Sequence, residues 1–401
     1  MALNPAQLRS HYTHFLGEGD EAHHEGPHGR RLLLTGHSHQ AWPDVAREAV
    51  IEAFEHAALH VDDKWGVVFE RAEYLRGVIA REVSCEAGEV ALAQNTHELF
   101  SRFLSALDLR KRPKMICTDG EFHSVYRQLS ALEAAGVVEV CWVSSHTPET
   151  LTERMIEALD ERCAAVVCST VMFQDGRLTT HLPELSEACA RVGARLFLDA
   201  YHSFKVVPLS LEGLCAEVTY VSGGGYKYAQ WGEGACWLRV PQNDTLRPLF
   251  TGWFSDFERL HEPRVQGAPT TYGDRGAERF AGSTFDPTSW YRAARVARFF
   301  EEQGMSTEAL RALSMHQTSR LAEGLKAHFE LLSPELAHER GGFVAVRAPH
   351  AERWVKGLRA RGVWVDARGD ALRFGPAPYL RDSDLDETLE RVGAQALALK
   401  G

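Results

Sequence analysis

Short apolar segments alternate with helical segments between residues 89 and 221. The predicted strands are 89–93, 114–117, 137–143, 164–168, 195–198 and 218–221. The helices predicted between them are 98–107, 125–135, 148–159 and 183–192. Strands that alternate with helices in this way are typical of a mostly parallel sheet between helices. The sequence therefore predicts an α/β fold.

The pattern differs on either side of this region. Two helices, 44–58 and 63–82, are predicted after an irregular arm. Beyond residue 290 a long helical region extends to residue 329, with a break near Gly304. It is followed by a strand at 342–347, a helix at 351–361, a strand pair within 363–374 and a helix at 383–399. We therefore expect an N-terminal arm (1–40), a large domain (41–290) and a smaller α+β C-terminal domain (291–401), since 401 residues suffice for two domains.

Composition argues against several classes of protein. The net charge of −11 comes from 44 basic and 55 acidic residues spread along the chain, so no basic face for nucleic acid is expected. No apolar run approaches the ~20 residues of a membrane span, and residues 1–31 are too polar and His-rich for a signal peptide. The eight cysteines are scattered without a Cys-x-x-Cys pair, which indicates reduced, mostly buried thiols. We expect a cytoplasmic protein that binds neither nucleic acid nor membranes.

One lysine, Lys227, lies in a loop rich in glycine and aromatic residues. The segment 222–233 reads Ser-Gly-Gly-Gly-Tyr-Lys-Tyr-Ala-Gln-Trp-Gly-Glu and follows the predicted strand 218–221. Asp199 stands at the C-terminal end of another predicted strand, at the edge where open parallel sheets bind ligands. Together they indicate pyridoxal 5'-phosphate (PLP), whose chemistry uses a lysine Schiff base and an acidic partner for the pyridine nitrogen.

Other polar and aromatic positions near strand ends have two interpretations each. Asn95 and Thr96 begin the first helix after a strand, where backbone N–H groups attract a phosphate, although either residue could simply be an N-cap. Phe122 could stack on a flat cofactor or belong to the core. His202 could be catalytic or structural. Asp199 could cap a helix, but the apolar segment before it would then bury an unpaired carboxylate at high cost.

Several segments together resemble a known family. Leu198-Asp-Ala-Tyr-His202, Tyr226-Lys-Tyr228 and Gly252-Trp-Phe254 follow the order found in fold type I PLP enzymes of the class V aminotransferase superfamily, specifically kynureninase. The runs 362–366 (Gly-Val-Trp-Val-Asp) and 372–379 (Leu-Arg-Phe-Gly-Pro-Ala-Pro-Tyr) are similar to the small domain of that family. The resemblance extends over residues 33–395. It implies a fold type I large domain and a smaller α+β domain.

The resemblance also implies roles for the matching residues. Lys227 would bond to the cofactor and move the substrate α-proton, and Asp199 would pair with the pyridine nitrogen. The other implied cofactor contacts are Asn95 and Thr96 at the phosphate and ring edge, Phe122 in stacking, His202 beside Asp199, Tyr226 at the phosphate and as general acid, Trp253 at the phosphate of a neighbouring subunit, and Thr284. Arg373 would bind the substrate α-carboxylate, with His37 and Ser38 near the substrate entrance. The role of Trp253 implies a homodimer.

The implied activity is that of a PLP-dependent hydrolase of tryptophan catabolism. Such an enzyme cleaves the bond between Cβ and Cγ of L-kynurenine, or of a similar γ-keto amino acid, to L-alanine and anthranilate or an analogue. Two departures from the family concern the substrate. Val125 replaces an acid near the cofactor, and residues 280–287 replace an Asn-Pro segment that contacts the aromatic part of the substrate.

Three alternatives remain open. A class V aminotransferase or another PLP-dependent lyase would use the same lysine, aspartate and arginine. A cysteine desulfurase or selenocysteine lyase needs a thiol in the C-terminal third, and no cysteine follows Cys236. A non-enzymatic metal-binding protein would use histidines near the N-terminus, but their spacing is irregular and no metal site is expected. These histidines are His11, His14, His23, His24, His28, His37 and His39.

Overall fold

The computed structural model describes residues 3–16, 31–263, 265–274 and 276–400. The strands are β1 (Leu32–Leu33), β2 (Val90–Ala93), β3 (Lys114–Thr118), β4 (Glu139–Val143), β5 (Cys163–Ser169), β6 (Arg195–Asp199), β7 (Thr219–Gly224), β8 (Cys236–Arg239), β9 (Glu330–Leu331), β10 (Val344–Arg347), β11 (Val363–Trp364), β12 (Asp366–Arg368) and β13 (Ala371–Phe374). The α-helices are α1 (Pro5–Leu8), α2 (Thr13–Leu16), α3 (Val45–His60), α4 (Lys64–Val83), α5 (Thr96–Ala106), α6 (His123–Ala134), α7 (Leu151–Glu157), α8 (Leu182–Val192), α9 (Thr288–Glu302), α10 (Thr307–Leu325), α11 (Ala351–Ala360) and α12 (Asp382–Lys400).

Seven strands form one sheet in the order β2-β8-β7-β6-β5-β3-β4. From β4 to β7 neighbouring strands are parallel, whereas β8 is antiparallel to both of its neighbours. Along β6, Leu196 and Leu198 pack into one apolar cluster and Phe197 into another, so both faces of the sheet are covered. The predicted α/β fold with a mostly parallel sheet is confirmed. The prediction misses β8, a short strand directly after the glycine-rich lysine loop.

The C-terminal region contains a second, antiparallel sheet in the order β12-β13-β10-β9, as expected for an α+β arrangement. The N-terminal arm, predicted as irregular, contains α1, α2 and β1, and β1 pairs in parallel with β11. Helix α9 packs along α3 and α4. The boundaries proposed for the arm and the two domains remain predictions.

Capping residues account for several helix ends. Asn95 is the N-cap of α5, where its side chain accepts a hydrogen bond from Glu98 N–H at 2.9 Å. Ser306 caps α10 in the same way. Between α9 and α10, Gly304 has a φ of +65°, a left-handed conformation that glycine adopts without strain. The predicted break near Gly304 is therefore present.

Two compositional expectations can be compared with the fold. All eight cysteines are free, and most are buried, as predicted. Among the helices described here, none is both long and apolar enough to cross a membrane.

Candidate active site

The carboxyl ends of the central parallel strands border a cavity. Ser169 at the end of β5 pairs in register with Asp199 at the end of β6, which pairs with Ser222 of β7. Open α/β sheets bind ligands at this edge. The cavity volume is about 210 Å³, several times the roughly 30 Å³ of one water molecule, so a small organic ligand fits. The lining residues are Gln94, Asn95, Thr96, His97, Phe122, Ser124, Ser169, Phe173, Asp199, Tyr201, His202, Tyr226, Lys227, Glu233, Gly234 and Cys236.

The connection from β7 to β8 carries Lys227. Gly225 N–H donates to the Ala235 carbonyl at 2.9 Å and closes the loop of residues 225–235. A Cβ at Gly224 would lie 2.3 Å from the Tyr201 hydroxyl oxygen, so only glycine allows the Tyr201 ring to approach this closely. The antiparallel strand β8, which the sequence did not reveal, thus anchors the far end of the lysine loop at the cavity.

The Lys227 amine is buried beside a neutral imidazole. Its Nζ lies 2.6 Å from His202 Nε2 and 4.7 Å from the centre of the Tyr201 ring. Burial lowers the pKa of Lys227 to about 7, although the Asp199 carboxylate acts in the opposite direction. Burial and the nearby amine hold the pKa of His202 well below its usual range, so this imidazole is uncharged. At neutral pH much of Lys227 is therefore the unprotonated amine, which is its nucleophilic and basic form.

The lowered pKa of Lys227 predicts how the apoprotein binds added PLP. Only the unprotonated amine can attack the aldehyde of PLP, so the rate of covalent capture should rise with pH around a midpoint of about 7. An ordinary lysine, with a pKa of ~10.4, would be almost fully protonated at that pH. Stopped-flow absorbance of apoprotein mixed with PLP, over pH values on both sides of neutrality, measures this midpoint. A midpoint near the ordinary lysine value would contradict the buried amine.

Asp199 presents a carboxylate with an available oxygen. Oδ1 accepts a hydrogen bond from Tyr201 N–H at 2.8 Å, and none of the described residues donates to Oδ2. Burial raises the pKa of Asp199, whereas the Tyr201 N–H and Lys227 act to lower it. The residues after Asp199 form turns, so it does not cap a regular helix. A carboxylate with one available oxygen suits the protonated ring nitrogen that PLP requires.

Helix α5 begins at the cavity wall. Asn95 is its N-cap and Thr96 its first residue, so Asn95 does serve as a cap. That role is compatible with phosphate binding, because a helix N-terminus has more N–H groups than one cap can satisfy. Phe122 also lines the cavity. Its ring centre lies 5.6 Å from Lys227 Nζ and 5.5 Å from the ring centre of Phe173, which provides an aromatic wall.

Tyr226 lies on the same cavity, next to the lysine in sequence. Its ring lies 4.9 Å from the Tyr201 ring and 5.1 Å from the His39 ring, centre to centre. Burial raises the pKa of Tyr226 to about 12. The phenol is therefore protonated at neutral pH and can donate a hydrogen bond or a proton.

Arg373 lies behind the cavity wall and is only 2% exposed. Its Nε and Nη2 donate to the two carboxylate oxygens of Asp366 at 2.9 and 2.6 Å, and its Nη1 donates to the carbonyl oxygen of Phe173, a cavity-lining residue. His37 Nε2 lies 2.8 Å from Oδ1 of the same Asp366. Burial lowers the pKa of His37 to about 4, so its imidazole is neutral. The arginine is thus held rigidly, with its charge balanced by Asp366.

The Phe343 ring connects this group with the lysine site. Its centre lies 5.6 Å from the Arg373 guanidinium carbon, 4.6 Å from the centre of the His37 ring and 5.8 Å from that of the His202 ring. Ser38, in contrast, donates its hydroxyl to a backbone carbonyl of its own turn and does not line the cavity. The Phe343 ring therefore lies between Arg373 and His37 on one side and the Lys227–His202 pair on the other. Ser38 has no contact with that pair.

Two predicted cofactor residues lie outside the cavity. Trp253 is 44% exposed, and its indole Nε1 donates to Thr284 Oγ1 at 3.2 Å. Neither residue lines the cavity that contains Lys227. Within one chain, the structure does not bring this pair together with the other predicted site residues.

The two departures from the family lie away from the cavity wall. Val125 is buried in the apolar cluster beneath α6, and its neighbour Ser124 lines the cavity instead. Residues 281–285 line a second, larger cavity, which shares Gln94 with the first. The side chain of Val125 packs into the core, and the effect of its apolar character on the substrate remains a prediction.

Sequence reasoning misses a buried acid, Glu121. Its carboxylate accepts hydrogen bonds from Thr118 Oγ1 at 2.6 Å and from Ser169 Oγ at 2.6 Å, and burial raises its pKa to about 7. Its position, directly before Phe122 and shortly after a predicted strand, could have identified Glu121 as a candidate site residue. The other cavity-lining residues that were not predicted are Gln94, His97, Ser124, Ser169, Phe173, Tyr201, Glu233, Gly234 and Cys236. Phe343 and Asp366, which contact Arg373 behind the wall, were also missed. Most of the missed residues are apolar or small, and nothing in a single sequence distinguishes them from core residues.

The metal-binding alternative receives no support. Within the described residues, His, Cys, Asp and Glu side chains form no group of three or more that could hold a metal ion. His23, His24 and His28 lie outside the described residues.

The residues present fit PLP. The cavity combines a buried amine, a carboxylate with an available oxygen, an aromatic wall and a helix N-terminus. In addition, the buried atoms His202 Nδ1 and Gln94 Nε2 have no hydrogen-bond partner in the described part of the chain. Buried polar atoms are normally hydrogen-bonded. A polar ligand with an anionic group would supply such partners.

Comparisons with known proteins point to the same class of enzyme. The family model for the kynureninase C-terminal domain matches residues 309–392. Over 381 residues the chain is 23% identical to the uncharacterized aminotransferase YcbU of Bacillus subtilis, covering 92% of this chain and 97% of that one. It is 26% identical over 246 residues to a kynureninase of Burkholderia mallei, covering 59% of this chain and only 57% of that one. The solved structure of the cysteine desulfurase CsdA of Escherichia coli superposes with a TM-score of 0.80 at 15% identity, covering 100% of both chains.

The names of these relatives give three different activities, which are aminotransferase, kynureninase and cysteine desulfurase. What the superposed structure shares with this chain is the overall fold. Lys227 and Asp199 lie at the carboxyl edge of the large sheet, where open α/β sheets bind ligands. The chain is therefore a PLP-dependent enzyme with the fold type I architecture, and its sequence is similar to members of the class V aminotransferase superfamily.

Proposed function

We propose that the protein is a hydrolase of the kynureninase type, acting on an L-amino acid with a carbonyl group at Cγ, such as L-kynurenine. One water is consumed, the bond between Cβ and Cγ breaks, and the products are L-alanine and a carboxylic acid, which is anthranilate for kynurenine. The observation that carries the proposal is Arg373. This buried guanidinium is held beside the cavity wall, within the segment that matches the kynureninase C-terminal domain.

The residues around the cavity can perform the proton transfers of this reaction. When bound, PLP supplies an electron-withdrawing ring that stabilises negative charge on the substrate. Lys227, with its pKa near 7, can remove a proton from the substrate Cα and carry it as an ammonium group. His202 Nε2 accepts a hydrogen bond from that ammonium. Asp199 Oδ2 is available to hold a proton on the ring nitrogen.

Tyr226 is the proposed acid for the second half of the reaction. Its phenol is protonated at neutral pH, because burial raises its pKa to about 12. It can deliver a proton to Cβ of the alanine fragment after the bond to Cγ has broken. The imidazole of His202 is uncharged and is already engaged by Lys227, which makes it a weaker candidate for this donation.

Replacing Arg373 by lysine should weaken substrate binding more than it slows the chemistry. Lysine keeps the charge that compensates Asp366 but cannot donate to both Asp366 oxygens and to the Phe173 carbonyl at once, so the positive charge behind the cavity wall loses its fixed position. We therefore expect KM to rise about 10- to 100-fold with a smaller change in kcat. The matched control is Arg368→Lys, an exposed arginine 3.9 Å from the same Asp366. Steady-state kinetics of both variants tests this. Equal KM values for the Arg373 variant and the native protein would remove Arg373 from the substrate site.

Two other activities remain candidates. An aminotransferase is supported by the similarity to YcbU along nearly the whole chain, and it would use the same lysine and aspartate. A cysteine desulfurase is supported only by a similar fold. The one cysteine that lines the cavity is Cys236, and burial raises its pKa to about 11, so it is a poor thiolate nucleophile.

A homodimer is part of the proposal. Trp253 and Thr284 form a hydrogen-bonded pair away from the Lys227 cavity of their own chain, and Trp253 is exposed. The exposed apolar side chains Leu249, Phe250, Phe257 and Leu260 lie in the same segment. An exposed apolar patch of this kind is typical of a surface that associates with another protein. Sedimentation analysis that finds only monomer would contradict this part of the proposal.

Product analysis tests the proposed reaction directly. Purified protein loaded with PLP is incubated with L-kynurenine, with and without an added 2-oxo acid, and the products are separated by chromatography. Equal amounts of L-alanine and anthranilate without the oxo acid support the hydrolase. Turnover that depends on the oxo acid supports the aminotransferase. A visible PLP band without either reaction would exclude kynurenine and direct the search to other γ-keto amino acids.

A further inference from the structure

The N-terminal segment reaches the lysine loop through Tyr12. This segment is fixed to the start of α3, because Thr13 donates its N–H and its hydroxyl to Asp44 at 2.9 and 2.7 Å. Tyr12 is fully buried, and its hydroxyl donates to Gln230 Oε1 at 2.5 Å. Its ring also packs on that of Tyr379, at 4.4 Å between centres. A residue near the N-terminus thus contacts both the C-terminal region and the loop that carries the lysine.

Gln230 is placed to transmit this contact to Lys227. Its backbone N–H donates to the Lys227 carbonyl at 3.1 Å, so the two residues belong to one turn. Gln230 has a φ of +59° and is fully buried. A non-glycine residue in this left-handed region needs support from its surroundings. Its Nε2 has no partner among the described residues, so the Tyr12 hydroxyl is the hydrogen bond that holds this side chain there.

We propose that Tyr12 is a positioning residue for the PLP-binding lysine. Tyr12 holds Gln230 in the core, and Gln230 holds the turn that keeps the Lys227 amine away from water. Without the Tyr12 hydroxyl, Gln230 Oε1 would be buried without a donor, which favours movement of the turn toward solvent. This inference depends on Lys227 as the cofactor lysine but not on the identity of the substrate.

The test compares two Tyr→Phe substitutions in the same ring cluster. Tyr12→Phe keeps the ring and removes the hydroxyl that binds Gln230. Tyr379→Phe removes a buried hydroxyl with no hydrogen-bond partner in the described structure, which makes it a matched control. For Tyr12→Phe we expect the pH midpoint of PLP capture by the apoprotein to rise by about one unit, and capture at neutral pH to slow ~5-fold, because water then reaches the amine. Tyr379→Phe should leave both values unchanged.

A second variant approaches the same bond from the other side. Gln230→Met removes the acceptor while keeping the length of the side chain, and it should raise the midpoint by a similar amount. The double variant Tyr12→Phe/Gln230→Met should show no further shift, since the two changes remove one interaction. Thermal melting of each variant separates a loss of stability from a change at Lys227.

The outcomes have distinct meanings. An unchanged midpoint in Tyr12→Phe, or an equal shift in Tyr379→Phe, overturns the positioning role. Additive shifts in the double variant overturn the path through Gln230. Failure of the native protein to turn over kynurenine would affect only the proposed hydrolase activity, because capture of PLP is measured without substrate. Failure of the native apoprotein to capture PLP would overturn the inference as well.

Discussion

Lys227→Ala should abolish turnover and the visible absorbance of a covalently bound cofactor. The substitution removes both the amine that bonds to PLP and the base that moves the substrate proton. We expect the rate of product formation to fall by at least about 10,000-fold, since nucleophile and base are lost together. The fold should survive, because the side chain makes one polar contact, with His202, and about half of it is already the neutral amine at neutral pH. Absorbance spectra and product assays on the same preparation measure both effects.

Two further substitutions make this result specific. Lys227→Arg keeps the length and the positive charge but has no accessible neutral form, so it should be as inactive as the alanine variant. Lys205 is also buried and forms an ion pair with Glu82 at 2.7 Å. Lys205→Ala should lower the melting temperature and leave the absorbance band in place. A normal band in Lys227→Ala, together with its loss in Lys205→Ala, would show that the wrong lysine has been assigned.

Asp199→Asn should retain the cofactor but lose most of the activity. Asparagine can still accept the hydrogen bond from Tyr201 N–H, so the local turn is preserved. It cannot supply the negative charge that keeps the ring nitrogen protonated. Removing one such electrostatic contact typically costs about 100- to 1,000-fold in kcat, and we expect a loss in that range. Steady-state kinetics measures the loss, and the absorbance spectrum reports whether PLP is still bound.

Glu121→Gln is the matched control for Asp199. It makes the same change from carboxylate to amide at a buried acid, but Glu121 does not line the cavity and both of its oxygens are already hydrogen-bonded. We expect it to lower stability, because the amide must face a Ser169 or Thr118 donor, and to reduce kcat less than Asp199→Asn does. An equal loss of kcat in both variants would indicate that net charge, and not contact with the ring, explains the effect.

Local sequence patterns predicted most of the regular elements. The strands from β2 to β7 are short apolar runs, and the helices between them have apolar faces, so each carries a local signal. The strand β8 was missed because the glycines before it indicate a loop. The short helices α1 and α2 were missed because they hold only a few residues each and are stabilised by contacts with distant parts of the chain, such as that of Thr13 with Asp44.

The candidate site was predicted only in part. Lys227 and Asp199 stand beside strand ends, and the topology of a parallel sheet brings such ends to one edge, so their proximity followed from the sequence. The pairing of Arg373 with Asp366, and that of Asp366 with His37, did not follow. It depends on the packing of the C-terminal sheet against the segment after β1. Likewise, no local pattern indicates that Tyr12 contacts Gln230.

The sequence by itself therefore determined the α/β fold, the lysine loop and the strand-end aspartate, because these are encoded in apolar periodicity and in residue types next to strand ends. Only the tertiary structure decided the protonation of these groups. Burial by residues from distant parts of the chain lowers the pKa of Lys227 and raises that of Asp199. The tertiary structure also decided that Val125 faces the core and that Trp253 lies away from the cavity of its own chain. Burial and electrostatic interactions depend on distances between residues far apart in sequence, which a local pattern does not contain.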